Sequence, residues 1–158
     1  MRVTEVRRDS VVDAVLSASR VLVAVAARSL GDVAEEVTLT QYRTLVVLAS
    51  RGPQSLASLA EAVDVTPPTA TRMCDRLIRK GLVQRRHVRG DRRLTRLSLT
   101  GTGRDLVDAV TERRRSEIEK LLDAVPDEQQ TAMVDALQRL ATAAGEVPEQ
   151  DWSAGWDL

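Results

Sequence analysis

Apolar residues recur along this chain first at helical and then at strand spacing, and the changes of period divide it into elements. Val11, Val12, Val15, Leu16, Val23 and Ala26 fall on one face of a helix that fades near Leu30-Gly31. Thr38 and Thr40 offer N-caps to a second helix over 41–50, which turns Leu45, Val46, Leu48 and Ala49 inward until Arg51-Gly52-Pro53 ends it. Ser55 caps a short helix through Leu56, Leu59, Ala60 and Val63. A tight turn, Val63-Asp64-Val65-Thr66, follows, and Asp64 is best suited to its strained position, because a short carboxylate eases a left-handed backbone.

Thr66-Pro67-Pro68 is a strong helix start: the hydroxyl can accept from free first-turn amides, and proline's fixed φ suits that turn. The helix is predicted to run to Lys80 and to stop at Gly81. Ala70, Met73, Cys74 and Leu77 share its apolar face; Pro68, Thr71, Arg72, Asp75 and Arg79 lie opposite, with Thr69 and Arg76 on the flank nearest the helix start. Two short helices, a tight turn and an outward row of Thr and Arg make a helix-turn-helix, whose second helix enters a major groove. The period then changes. Leu82–Val88 and Leu94–Leu99 read as strands, with Leu97 and Leu99 alternating with Arg96 and Ser98, joined by the wing loop Arg89-Gly90-Asp91-Arg92-Arg93. Thr100 caps a long helix through Leu106, Val107, Val110, Ile118, Leu121, Leu122 and Val125, which Pro126 ends. Asp127 and Glu128 open a last helix that carries Met133, Val134, Leu137, Leu140, Ala141 and Ala144 before Gly145.

The pattern predicts a mainly α chain with a small β-hairpin (α+β): an N-terminal helix within 1–35, a winged helix-turn-helix over 36–104, C-terminal helices over 105–145, and a tail over 146–158. That tail is acidic and holds Trp152 and Trp156; the pattern leaves open whether it is a flexible end or docks on a neighbouring helix or partner.

Charge distinguishes one segment from the rest. The chain of 158 residues balances 23 basic against 23 acidic residues, yet Thr66 to Arg104 holds eleven Arg and Lys against two acids, a net +9 that leaves −9 elsewhere. A basic block on an acidic globule marks where a polyanion sits, the alternative being a merely solvated charged face. Composition excludes much else. Aromatics are 2% and Phe is absent, so Ala, Val and Leu must fill the core and no pocket can be a cage of many rings. One Cys and one His cannot make an internal disulfide or supply a zinc site. Catalysis has no visible machinery either: no nucleophile with a base, patterned carboxylate pair, phosphate-cradling glycines or metal cluster, so neither an enzyme nor a cofactor is expected. Arg2, Arg7 and Arg8 before the apolar stretch Val11–Ala27 imitate a secretory signal, but Asp13 and Arg20 interrupt it, which predicts an amphipathic helix, no membrane span and a cytoplasmic protein.

From about Val11 to Ala144 these residues resemble the MarR family of bacterial transcriptional regulators. The resemblance is carried by Val65-Thr66-Pro67-Pro68-Thr69-Ala70-Thr71-Arg72, by Asp75-Arg76-Leu77 with Lys80-Gly81-Leu82-Val83, and by Asp91-Arg92-Arg93 followed by Leu99-Thr100 and Gly103. It implies a homodimer with the first and last helices of two chains interleaved, and the wide apolar stripes at both ends agree. It implies a repressor on double-stranded DNA at a pseudo-palindromic site. Thr66, Pro67, Pro68, Thr69, Thr71, Arg72 and Arg76 would meet the major groove, Arg72 as the residue for a bidentate contact to guanine. At the wing Asp91 would brace Arg93 towards a minor groove, while Arg89 and Arg92 touch phosphates. Many relatives release DNA when a small aromatic acid enters the cleft between dimer helices and winged helix; in this chain Tyr42 is the one ring outside the tail, and no polar cluster identifies a pocket. Other relatives sense oxidants through a cysteine near the first helix, whereas Cys74 belongs to the apolar side of the recognition helix, where a buried inert thiol is expected. His87 beside the wing is expected as a surface residue. A winged helix used for protein contacts and a cysteine-based redox regulator are the alternative functions.

Overall fold

The computed structural model describes residues 8–88 and 91–155, with 34, 88, 91–93 and 153–155 described by backbone alone. The elements run α1 (Arg8–Leu30), a 3₁₀ turn (Gly31–Glu35), α2 (Leu39–Arg51), α3 (Leu56–Ala62), α4 (Pro67–Arg79), β1 (Val83–Val88), β2 (Asp91–Leu99), α5 (Gly101–Leu122), α6 (Asp127–Ala143) and a final 3₁₀ segment (Glu149–Gly155).

Local chemistry explains most boundaries. Thr38 forms a full capping box with Gln41, accepting from its amide at 3.2 Å while the Gln41 side chain accepts from the Thr38 amide at 3.1 Å, so α2 opens at Leu39, two residues earlier than predicted. Ser55 caps α3 by accepting from Ser58 at 3.1 Å, and Asp64 does take the left-handed position, at φ 52°. Gly81 ends α4 at φ +70°, where its amide donates to Ile78 and that of Leu82 to Leu77, the paired bonds of a Schellman stop. Thr100 caps α5, accepting from Gly103 at 3.0 Å.

Several expectations need correction. Thr66 caps no main-chain amide; its hydroxyl meets that of Thr69 at 3.0 Å, and Pro67 and Pro68 have no N–H to offer. β2 begins at Asp91 and not Leu94, since the strands stay paired past an irregularity at His87/Val88 that sets Val88 opposite Asp91. α5 ends at Leu122, short of Val125. A contact that the pattern does not announce is the bridge of Gln54 to Leu97, with bonds of 2.9 and 2.8 Å, which gives β2 a partner on its second edge.

α2 is the centre of the core. Tyr42, Leu45, Val47 and Leu48 meet Leu59 of α3, Met73, Cys74 and Leu77 of α4, Val83, Leu97 and Leu99 of the hairpin, and Val107 and Val110 of α5. The end helices differ. Among the described residues of α1 only Val25, Ser29 and Leu30 are buried, and α6 buries none. Val12, Leu16, Val23, Val134, Leu137 and Leu140 lie open on them. The α1 segment is also long and apolar enough to cross a bilayer, by length and composition alone, with a mean hydropathy of 1.7 in its most apolar window. Its C-terminal part is fastened to α5, where Arg28 meets Glu117 at 3.3 Å and Arg113 donates to the Leu30 carbonyl at 3.4 Å.

Candidate nucleic-acid interface

The interface is built on α4. Its apolar residues Ala70, Met73, Cys74 and Leu77 are all buried, and this orients everything else on the helix: Thr66, Pro67, Pro68, Arg72, Arg76 and Arg79 are exposed, while Thr69, Thr71 and Asp75 are half-buried. The threonine hydroxyls are already engaged. Thr71 donates to the Pro67 carbonyl at 3.0 Å and Thr66 pairs with Thr69, so this edge offers chiefly oxygen lone pairs, and the donors to an approaching acceptor are arginines.

Asp75 is the one acid on that face. It accepts from Arg85 of β1 at 2.6 Å and so ties the recognition helix to the hairpin. The strand residue, and not Arg76 or Arg79 of the same helix, pairs with Asp75. Among the described residues, Arg72, Arg76 and Arg79 have neither ion pair nor hydrogen bond, and their charge faces solvent. Arg86, His87 and Arg96 of the hairpin are exposed as well. Asp91, Arg92 and Arg93 are placed by backbone at the start of β2, but their side chains, and Arg89 entirely, lie outside the described residues. Cys74 is fully buried, and burial raises its thiol pKa, which keeps it protonated and unreactive at neutral pH.

A second feature escaped the sequence reading. Tyr42, Arg43 and Thr40 of α2 converge with Arg114 of α5, Ala26 of α1 and Val46 around a cavity of about 360 Å³. No acid is among the residues that line it. The Arg114 guanidinium lies over the Tyr42 ring at 5.5 Å; its Nε is buried with no hydrogen-bond partner among the described residues, and no acid pairs with the side chain among them. Tyr42 reaches the Val107 carbonyl at 3.5 Å and Thr111 at 3.4 Å; burial pushes its phenol pKa up, against the Thr111 hydrogen bond. Nothing in the pattern signals this site, since its charged residues come from two helices far apart in sequence and read singly as solvated arginines.

A helix-turn-helix core with a basic hairpin fastened beside its second helix defines a winged helix-turn-helix DNA-binding protein. A model of the MarR family matches residues 37–95. The HTH-type transcriptional repressor MdtR of Bacillus subtilis (strain 168) is 31% identical over 119 residues, which cover 75% of this chain and 77% of that protein. A crystal structure of RV1404 from Mycobacterium tuberculosis is 40% identical with a TM-score of 0.82, over 92% of this chain and 99% of that one. NadR, solved in complex with 4-hydroxyphenylacetate, shares the fold at 24% identity and a TM-score of 0.63, over 89% and 98% of the two chains. The chain belongs to the MarR family: it is a DNA-binding transcriptional regulator and not an enzyme.

Proposed function

We propose that the protein is a homodimeric, cytoplasmic repressor that holds a pseudo-palindromic operator and lets it go when a small organic acid fills the cavity between α1, α2 and α5. The observation that carries the DNA reading is the exposed row of Arg72, Arg76 and Arg79, without ion pairs among the described residues, on a helix whose other face is wholly committed to the core. Thr66, Pro67, Pro68, Thr69 and Thr71 surround that row, and the basic wing residues Arg89, Arg92 and Arg93, with Asp91 as brace, extend it along the duplex. Two such helices about 34 Å apart meet successive major grooves, with half-sites roughly ten base pairs apart. The open apolar faces of α1 and α6 supply the subunit contact, and a second chain covers them better than a bilayer does, because α1 is held by its polar contacts to α5. The cavity favours an anion: two arginines, a phenol and no carboxylate line it, and NadR, of the same fold, is known with an aromatic carboxylate.

Selection of fragments from the organism's own DNA gives the operator. Anisotropy titrations on operator and scrambled duplexes at several salt concentrations then test the residues. Arg72→Ala is expected to cost about 1–3 kcal/mol on the operator and to relax discrimination at one base position. Arg93→Ala is expected to weaken binding to both duplexes and to lower the salt slope by about 1. Unchanged affinity in both variants refutes the assignment.

A further inference from the structure

The acidic segment after α6 is fastened across the very helix that lines the cavity. Glu146 engages Arg43 through both carboxylate oxygens, one of them 3.1 Å from Nη1, and Arg51 donates to the Gly145 carbonyl at 3.2 Å. Arg115 of α5 donates to Glu149 at 2.9 Å. Trp152 closes the segment on itself, its indole N–H donating to the Val147 carbonyl at 3.0 Å, while its ring packs against the core cluster. Arg43 is therefore shared, lining the cavity and carrying the tail.

Resting on the reading that the cavity holds an organic acid, we propose that residues 146–152 are an internal competitor for that acid: a carboxylate entering the cavity takes Arg43 from Glu146 and frees the segment from α2. The two arginines of the cavity stand in different states. Arg114 lines the cavity with no acid paired to it among the described residues, whereas Arg43 is neutralised by Glu146. An entering carboxylate meets the first without opposition, but it reaches the second only by displacing the resident acid. That exchange is feasible because the Arg43–Glu146 pair is 38% and 37% exposed, so solvent screens it and the pair is weak. Coupling is mutual: whatever factor the ligand applies against the docked tail, the docked tail applies against the ligand.

Both tryptophans of the chain lie in this segment or just beyond it, so Trp156→Phe leaves Trp152 as the sole tryptophan of the full-length protein, reported by excitation at wavelengths that indole absorbs and Tyr42 does not. Benzoate serves as the probe. It is expected to shift Trp152 emission to the red and to raise its quenching by acrylamide, with the midpoint that calorimetry gives for benzoate binding. Benzyl alcohol, the same ring without charge, is expected to leave the emission in place. Adding Glu146→Gln should tighten benzoate by about two- to fivefold, the scale of one partly exposed ion pair. Benzoate that binds by calorimetry without moving Trp152, or with equal affinity for the Glu146→Gln variant, overturns the competitor while leaving the acid site standing. Benzoate that binds neither protein removes the acid site and the proposal together. Operator affinity, measured separately, bears on neither.

Discussion

Gly103 shows how a single residue can be read correctly from sequence and for an incomplete reason. It belongs to the string that resembles the family's wing-to-helix junction, yet its necessity is steric. A Cβ there would sit 2.0 Å from the Leu82 carbonyl oxygen and 2.9 Å from its carbon, both main-chain atoms that cannot rotate away. The first turn of α5 is pressed against the entry to β1, and Thr100 seals the junction by donating its amide to the same Leu82 oxygen at 3.1 Å. Gly103→Ala is therefore expected to destabilise the fold by roughly 3 kcal/mol, the upper end of overpacking, and to lower the melting temperature by roughly 6–12 °C. At Gly101, two residues earlier, an added methyl would meet nothing within 4 Å, so Gly101→Ala should melt with the unaltered protein; equal melting of all three proteins would refute the steric account. Asp64 was legible in the same way, from its tolerance of a positive φ. Thr66 was not, because its hydroxyl chooses between a main-chain amide and Thr69, and that choice lies in a rotamer.

Elements were legible wherever one face of a helix or strand is buried. The period of α4 alone places Ala70, Met73, Cys74 and Leu77 inside and the arginines outside, and the structure agrees. What periodicity cannot give is the tie between elements. Asp75 bonds Arg85, ten residues on and in a strand, although Arg79 lies one helical turn away at i+4. That bond removes one positive charge from the hairpin face and holds its angle to α4. Asp75→Asn is thus expected to raise affinity for a scrambled duplex, since Arg85 becomes free for phosphate, and to steepen the salt slope by up to about 0.9. Operator affinity should gain less, so the ratio of operator to scrambled binding falls. Stability should change by no more than about 1 kcal/mol, as befits a pair that solvent reaches. A scrambled-duplex affinity that falls or stays level would show that Arg85 is not released towards DNA. Gln54 belongs with these ties: one bridging residue has no period, and only the approach of β2 makes it a strand.

At the scale of the molecule, the chain as a single copy leaves a contradiction in its surface. α6 opens on Asp127 and Glu128 and carries an apolar stripe along its length, and among its described residues none is buried. The sequence announced the stripe but not what covers it, just as it announced an acidic, Trp-bearing tail without the distant Arg43 and Arg115 that hold it. Leu137 and Leu140 are each half exposed, as are Val12, Leu16 and Leu22 on α1 at the other end of the chain, so both end helices leave large apolar side chains open to solvent. In the homodimer proposed above, a second copy interleaving the same helices would resolve this and would place two α4 helices on one duplex. Leu137→Glu sets a carboxylate in the middle of that contact, where it has no partner and must lose its hydration for the dimer to form. The α2–α5 core does not include Leu137, so each subunit should keep its fold and its circular dichroism. Sedimentation should then find one subunit where the unaltered protein gives two. Operator affinity should fall by about 10²–10⁴-fold as the two half-sites are no longer held together, while weak, salt-sensitive binding to any duplex persists, because the basic face is untouched. If the unaltered protein sediments as one subunit, or the variant still pairs and holds its operator, then α6 does not make the subunit contact and its open stripe serves another partner.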